Sequence, residues 1–105
     1  MSLSFILWVP FQQIDVSNSA AVLSGGPLGS DYKVLQLHFH WGSDDTKGSE
    51  HKYDGMAFPM EMHVVHWNTK YAKSDGSVGD NILDNVDGLA VTGFMFKLDV
   101  SRTKL

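Results

Sequence analysis

Cysteine is absent from the 105-residue chain, and proline occurs only three times. Without cysteine the chain can form neither a disulfide framework nor a thiolate metal site, so any bound metal must be held by nitrogen and oxygen atoms. Basic residues are also few, since eight Lys and Arg stand against twelve Asp and Glu and give a formal net charge of −4. No block of positive charge could neutralise a row of phosphates, and we therefore expect no nucleic-acid partner.

Long hydrophobic runs are missing as well. The apolar opening MSLSFILWVPF is too short to span a bilayer, and it lacks the basic region and the cleavage site of a signal peptide. We therefore expect no membrane span; the location stays undecided, although the missing signal peptide and the missing cysteine favour the cytoplasm. A hydrophobic content of 43% with three tryptophans is typical of a globular chain that forms one small domain.

Three segments rich in aliphatic, aromatic and β-branched residues predict strands: KVLQLHFHW, MEMHVVHW and LAVTGFMFKLDV. Their nearly continuous apolar character is typical of strands that are covered on both faces. We therefore expect a mainly β fold with little helix, in which these strands form the interior of a larger sheet. Between the second and third strands, the apolar pair Ile82 and Leu83 interrupts a polar segment and predicts a helical turn.

Histidines recur at even spacing in the first two predicted strands. Because side chains alternate across a strand, Gln36, His38 and His40 share one face of the first strand. By the same rule Glu61 and His63 share one face of the second. If the two strands pair antiparallel through the turn-rich segment between them, His63 can lie opposite the histidine pair of the first strand.

Three convergent imidazoles suit a tetrahedral zinc ion whose fourth position stays open for water. A histidine that binds metal usually donates its other ring N–H to an acceptor, which determines its tautomer and raises its basicity. Gln36 and Glu61 are placed in sequence to be such acceptors. The pattern therefore predicts a zinc site with supporting hydrogen bonds.

Other interpretations of the histidines stay open at this point. A single histidine in a strand is more often a hydrogen-bonded structural residue than a ligand. We interpret His51 and His66 in this way, because His66 falls on the face opposite His63 and His51 lies in the connecting segment. A purely structural zinc site is less favoured, since no fourth protein ligand is evident.

Five sequence words, in matching order and spacing, resemble the alpha-class carbonic anhydrases. They are GGPL at 25–28, LQLHFHWG at 35–42, GSEH at 48–51, MEMHVVHWNTKY at 60–71 and DGLAVTGF at 87–94. The resemblance runs from about residue 21 to 98, while residues 1–20 diverge. It implies that residues 1–105 form one partial domain, the central zinc-binding portion of the large and mostly antiparallel sheet of that family.

The resemblance also implies an activity, the zinc-dependent reversible hydration of carbon dioxide to bicarbonate. It assigns His38, His40 and His63 as the zinc ligands, with Gln36 and Glu61 as their hydrogen-bond acceptors. As established for carbonic anhydrase itself, zinc lowers the pKa of its bound water from 15.7 to about 7, so that a nucleophile exists at neutral pH. The substrate is then a small neutral molecule.

Three further residues take roles from the resemblance alone. Glu50 corresponds to the carboxylate that orients a threonine hydroxyl beside the metal, and Val65 and Val91 correspond to walls of the apolar pocket for carbon dioxide. Family members are much longer, and the threonine corresponds to a position beyond the last residue of this chain. The segment that supplies a proton-shuttle histidine in the most active members reads SLSFILWVPFQQ here, so we expect no shuttle histidine.

These departures leave a second functional class open. The chain could be a zinc-binding but catalytically weak or inactive relative that acts as an interaction module. Strands of a large sheet without their neighbours expose apolar faces and unpaired edges, which predicts possible self-association through those edges. All three ligand histidines are present, which favours the enzyme interpretation.

Overall fold

The computed structural model describes residues 13–99, which form seven strands and two short 3₁₀ helices. The strands, in chain order, are β1 (Gln13–Asp15), β2 (Val22–Leu23), β3 (Tyr32–Trp41), β4 (Lys52–Tyr53), β5 (Met56–Ala57), β6 (Met60–Asn68) and β7 (Leu89–Phe96). The 3₁₀ helices are Thr69–Tyr71 and Ile82–Asp84. The mainly β fold with little helix is confirmed, as are the three long strands and the helical turn at Ile82 and Leu83.

The main sheet has the strand order β1-β3-β6-β7, and β2 also pairs with β3. Strand β1 runs antiparallel to β3, with Gln13 opposite His38 and Asp15 opposite Gln36. A separate two-stranded hairpin joins β4 to β5 through Asp54 and Gly55, which both adopt positive φ angles. An Asp-Gly pair with positive φ is the usual two-residue hairpin turn. This signal is readable in the sequence, although the short strands beside it were not predicted.

The described residues divide into two compact units. The first unit comprises residues 13–38 and 64–92, and the second comprises residues 39–63 and 93–99. The apolar core of the first unit consists of Tyr32, Val65, Trp67 and Ile82. The Tyr32 hydroxyl donates a hydrogen bond of 2.7 Å to the carbonyl oxygen of Asp87, so this core residue also joins β3 to the segment before β7.

Buried side chains in the described part of the second unit are polar. Glu61 is 1% exposed and His63 is 7% exposed. Burying a carboxylate or an imidazole costs free energy of folding unless the group is hydrogen-bonded. Both side chains therefore need hydrogen-bond partners.

Strand β7 departs from the expectation of cover on both faces. Its large apolar side chains Val91, Phe94 and Phe96 are 52%, 48% and 43% exposed. Strand β7 is also the last strand in the order of the main sheet, so one of its edges is unpaired within residues 13–99. No helix in this described range is long and apolar enough to cross a membrane.

Candidate metal centre

The Glu61 carboxylate contacts two histidines of the second unit. Its Oε1 accepts a hydrogen bond of 2.8 Å from the backbone N–H of His51. Its Oε2 lies 2.6 Å from His51 Nδ1 and 2.6 Å from His63 Nε2. The burial of this carboxylate is therefore compensated by three donors from two residues.

These contacts determine the charge of Glu61. Burial raises the pKa of its carboxyl group, but the hydrogen bonds from the His51 backbone N–H, the His63 ring and the His51 ring outweigh burial and lower the pKa to about 2. Glu61 is therefore ionised at neutral pH. A carboxylate can only accept hydrogen bonds, so the nearest ring nitrogens of His51 and His63 must carry the protons.

The proton on His63 Nε2 leaves Nδ1 as the ring nitrogen with a lone pair. This Nδ1 lies 3.6 Å from Glu50 Oε1. The His40 ring is close by, with its centroid 4.7 Å from that of His63 and its Nε2 3.3 Å from the same Glu50 oxygen. The second unit thus brings together two predicted ligands and the carboxylate that the resemblance singled out.

Gln36 and His38 form a matching pair in the first unit. His38 Nδ1 lies 2.8 Å from Gln36 Oε1, as expected for residues two apart on one face of β3. An amide oxygen only accepts, so Nδ1 donates and Nε2 keeps its lone pair. His40 follows His38 by two residues on β3, and alternation places both on one face of the strand.

His51 has a larger role than the sequence indicated. It was expected to be a hydrogen-bonded structural residue of the connecting segment, and its ring binds the same carboxylate oxygen as His63. His51, Glu61 and His63 offer ligand atoms within 4.8 Å of one another. Their 2.6 Å separations are hydrogen-bond distances, so we interpret this group as a hydrogen-bonded support rather than as a metal site. The GSEH word is the only sequence signal that points to His51.

The remaining predicted residues occupy the first unit. Val65 is buried on β6, and Val91 is half exposed on β7. His66 is 5% exposed and its Nδ1 lies 3.0 Å from the carbonyl oxygen of Ala90, an arrangement in which the ring donates. This bond agrees with the structural interpretation of His66.

A family model of eukaryotic-type carbonic anhydrase matches residues 10–105 of this sequence. The chain belongs to the carbonic anhydrase family. It is 47% identical over 95 residues to the carbonic anhydrase 5A, mitochondrial, of Rattus norvegicus, a match that covers 89% of this chain and 29% of that relative. The chain thus spans less than a third of the length of that carbonic anhydrase.

The matched range contains the histidines and carboxylates described above, so the candidate metal ligands lie in the part of the chain that matches the family model. The prediction that no proton-shuttle histidine is present concerns residues 2–13, of which only Gln13 is among the described residues. Imidazole nitrogens and carboxylate oxygens form a donor set that suits zinc, the metal expected of a carbonic anhydrase.

Proposed function

We propose that His38, His40 and His63 hold a zinc ion and that the chain serves the reversible hydration of carbon dioxide to bicarbonate. The observation that carries this proposal is the hydrogen bond between Glu61 and His63. Because a buried and ionised carboxylate holds the proton on His63 Nε2, the lone pair of this ring is on Nδ1, and the His40 ring lies close to the His63 ring.

The residues around the ligands have separate tasks in this proposal. Gln36 and Glu61 hold His38 and His63 in the ligating tautomers before any metal arrives. This preorganisation favours metal binding, because the rings need no reorientation. Zinc, when bound, would supply the Lewis acidity that activates water for attack on carbon dioxide.

Val65 and Val91 are proposed as apolar walls for the substrate. A neutral linear gas molecule offers no charge for recognition, so apolar surface and the exclusion of water are what such a pocket can provide. Val65 is buried on β6, and alternation along the strand places it on the same face as Glu61 and His63, which supports its assignment more strongly than that of the exposed Val91.

The proposal is tested by stopped-flow measurement of carbon dioxide hydration with the zinc-loaded full chain, with and without an aromatic sulfonamide that binds zinc. We expect a rate above the uncatalysed one that the sulfonamide abolishes. His63→Gln should remove this rate, whereas Tyr53→Phe, at an exposed residue of β4 outside the site, should retain it. A zinc-loaded chain with only the uncatalysed rate would overturn the enzymatic proposal and leave the alternative, a zinc-binding interaction module.

Self-association through sheet edges is proposed as a separate property. It is supported by the exposed apolar side chains of β7, among them Phe94, Met95 and Phe96. An exposed apolar edge strand is a template for pairing with another chain. Sedimentation velocity over a range of concentrations should show oligomers, and a single monomeric species throughout would contradict this expectation.

A further inference from the structure

Aspartate is followed directly by glycine at three positions in the chain, which are Asp54, Asp75 and Asp87. At such a pair the backbone nitrogen of the glycine can attack the side-chain carboxyl carbon of the aspartate, because glycine has no Cβ atom to hinder the approach. The reaction needs a carboxyl group and a glycine N–H that are free of hydrogen bonds, and a backbone that can move. The three pairs differ in all of these respects.

Both reacting groups of Asp87 and Gly88 are hydrogen-bonded. The Asp87 carboxylate accepts hydrogen bonds from Lys70 at 2.7 Å and from the Tyr71 hydroxyl at 2.5 Å. These bonds lower the pKa of its carboxyl group. Less of the protonated form is then present, and only this form can lose its hydroxyl group as water. Gly88 is buried, and its N–H donates to the carbonyl oxygen of Asn85 at 3.0 Å.

The pair of Asp75 and Gly76 is exposed, yet its reacting groups are also hydrogen-bonded. Asp75 Oδ1 accepts hydrogen bonds from the Ser77 N–H at 2.9 Å and from the Ser77 hydroxyl at 2.6 Å, and these bonds lower the pKa of the Asp75 carboxyl group. The Gly76 N–H donates to the carbonyl oxygen of Lys73 at 2.9 Å. Exposure alone therefore does not make this pair reactive.

The pair of Asp54 and Gly55 has both reacting groups free. Within residues 13–99, neither the Asp54 carboxylate nor the Gly55 N–H has a hydrogen-bond partner. Both residues are exposed, and they form the turn between β4 and β5. Among the described residues other than glycine, Asp54 alone has a positive φ angle, of +51°.

The hairpin that carries this turn offers little resistance to local opening. It has only two residue pairs, Lys52 with Ala57 and Tyr53 with Met56, and it is separate from the main sheet. Tyr53 and Met56 are 70% and 68% exposed, so neither side chain anchors the turn in a core. A two-stranded hairpin of this kind is marginally stable. Its opening supplies backbone conformations in which the glycine nitrogen reaches the aspartate side chain.

We propose that Asp54 is a site of spontaneous modification, at which the aspartyl residue converts to an isoaspartyl residue. The Gly55 nitrogen bonds to Cγ of Asp54, and the N–H proton and the carboxyl hydroxyl leave together as water, which gives a five-membered succinimide. Water then opens this ring at the α-carbonyl carbon. The backbone now runs through the side-chain carbonyl group, and the α-carboxylate is free. The water released in the first step is taken up in the second, so the conversion consumes no other reactant.

The isoaspartyl form has two properties that the original residue lacks. Its backbone is one carbon atom longer, and a two-residue turn cannot accept this extra length while Tyr53 and Met56 remain paired. Its free α-carboxylate is the group that isoaspartyl methyltransferases esterify. The modified chain therefore becomes a substrate for an enzyme of that class, independently of any metal.

The test compares the three pairs within one protein. The full chain is incubated for several weeks at physiological temperature and neutral pH, either folded or in urea. Isoaspartate is then detected by methyl transfer from S-adenosylmethionine with an isoaspartyl methyltransferase, and it is located by peptide mapping. In the folded chain we expect about tenfold more isoaspartate at Asp54 than at Asp75 or Asp87, whereas in urea the three positions should agree within about threefold.

Asp54→Glu is the matched variant, because glutamate keeps the negative charge but would have to close a six-membered ring, which forms far more slowly. It should lose nearly all of the methyl acceptance of the folded chain. Asp45→Glu is the control at an exposed aspartate that no glycine follows, and it should retain the parent value. Equal isoaspartate at all three pairs of the folded chain would overturn the proposal, as would its absence at Asp54 when the chain in urea carries it there.

Discussion

The Nε2 atom of His63 lies 2.6 Å from Oε2 of Glu61, and both side chains are buried. The pKa of the Glu61 carboxyl group is lowered, so Glu61 is ionised and can only accept a hydrogen bond. The proton of the His63 ring must therefore be on Nε2, which determines the tautomer. This hydrogen bond explains why a polar pair occupies the interior of the second unit, since each group satisfies the other, and it places the ring's lone pair on Nδ1, the atom proposed to bind the metal.

Replacing Glu61 by Gln should weaken zinc binding by about tenfold to a hundredfold, because the neutral amide no longer makes His63 electron-rich or enforces its tautomer. The measurement is a competition titration against a chelator of known affinity. Asp45→Asn is the matched control, as it also removes one negative charge, at an exposed position outside the site, and should bind zinc nearly as tightly as the parent. An unchanged affinity in Glu61→Gln would argue against its supporting role.

Gly48 should be intolerant of any side chain. Its φ angle is +141°, and a Cβ atom there would lie 2.1 Å from the carbonyl oxygen of Pro59. We expect Gly48→Ala to lower the free energy of unfolding by about 1–3 kcal/mol and to weaken zinc binding, because the loop that carries Glu50 and His51 must move. Gly29→Ala is the control, since nothing lies within 4 Å of its Cβ position. Equal stability of the two variants by urea denaturation would contradict the prediction.

Tyr32→Phe should lower the free energy of unfolding by about 1 kcal/mol, because it removes a buried hydroxyl that donates to the carbonyl oxygen of Asp87. The same hydroxyl accepts a 3.3 Å hydrogen bond from Asn68 Nδ2. Tyr53→Phe is the comparison at a residue that is 70% exposed, and it should leave the urea midpoint unchanged. A midpoint for Tyr32→Phe that equals the parent value would exclude a contribution from this bond.

The side chain of Asp87 should contribute stability that depends on pH. Hydrogen bonds from Lys70 and Tyr71 lower the pKa of its carboxyl group below the usual value, with bond lengths of 2.7 and 2.5 Å. A lowered folded-state pKa means that the contribution is fully present above the unfolded-state pKa and is lost as pH falls through the folded-state value. The melting temperatures of the parent and Asp87→Asn should therefore differ at neutral pH and converge in acid. A constant difference at all pH values would contradict this linkage.

The long strands, and the strand faces on which the proposed metal ligands lie, could be predicted from sequence. Both depend only on the composition of a short segment and on the alternation of side chains along a strand. Strand composition indicated β3, β6 and β7, and alternation placed Gln36 with His38 and Glu61 with His63, as the hydrogen bonds confirm. These relationships span two residues and need no tertiary information.

Contacts of the connecting segment could not be derived in this way. The approach of His51 to Glu61 joins residues ten apart, and it depends on a loop with Gly48 at positive φ. No periodicity describes such a loop, so neither the second imidazole on Glu61 nor the placement of Glu50 against two histidines was predicted from the residues. The exposure of the apolar side chains of β7 was likewise not predicted, because an apolar run shows what a strand can bury and not what covers it.

The central claim, a zinc centre built on His38, His40 and His63, is tested most directly by the zinc content of the purified and folded full chain after dialysis against a zinc buffer. The account predicts about one zinc ion per chain, retained in Tyr53→Phe, a change at an exposed residue outside the site, and lost in His63→Gln. A folded chain without zinc, or one whose zinc content is unchanged by His63→Gln, would contradict it.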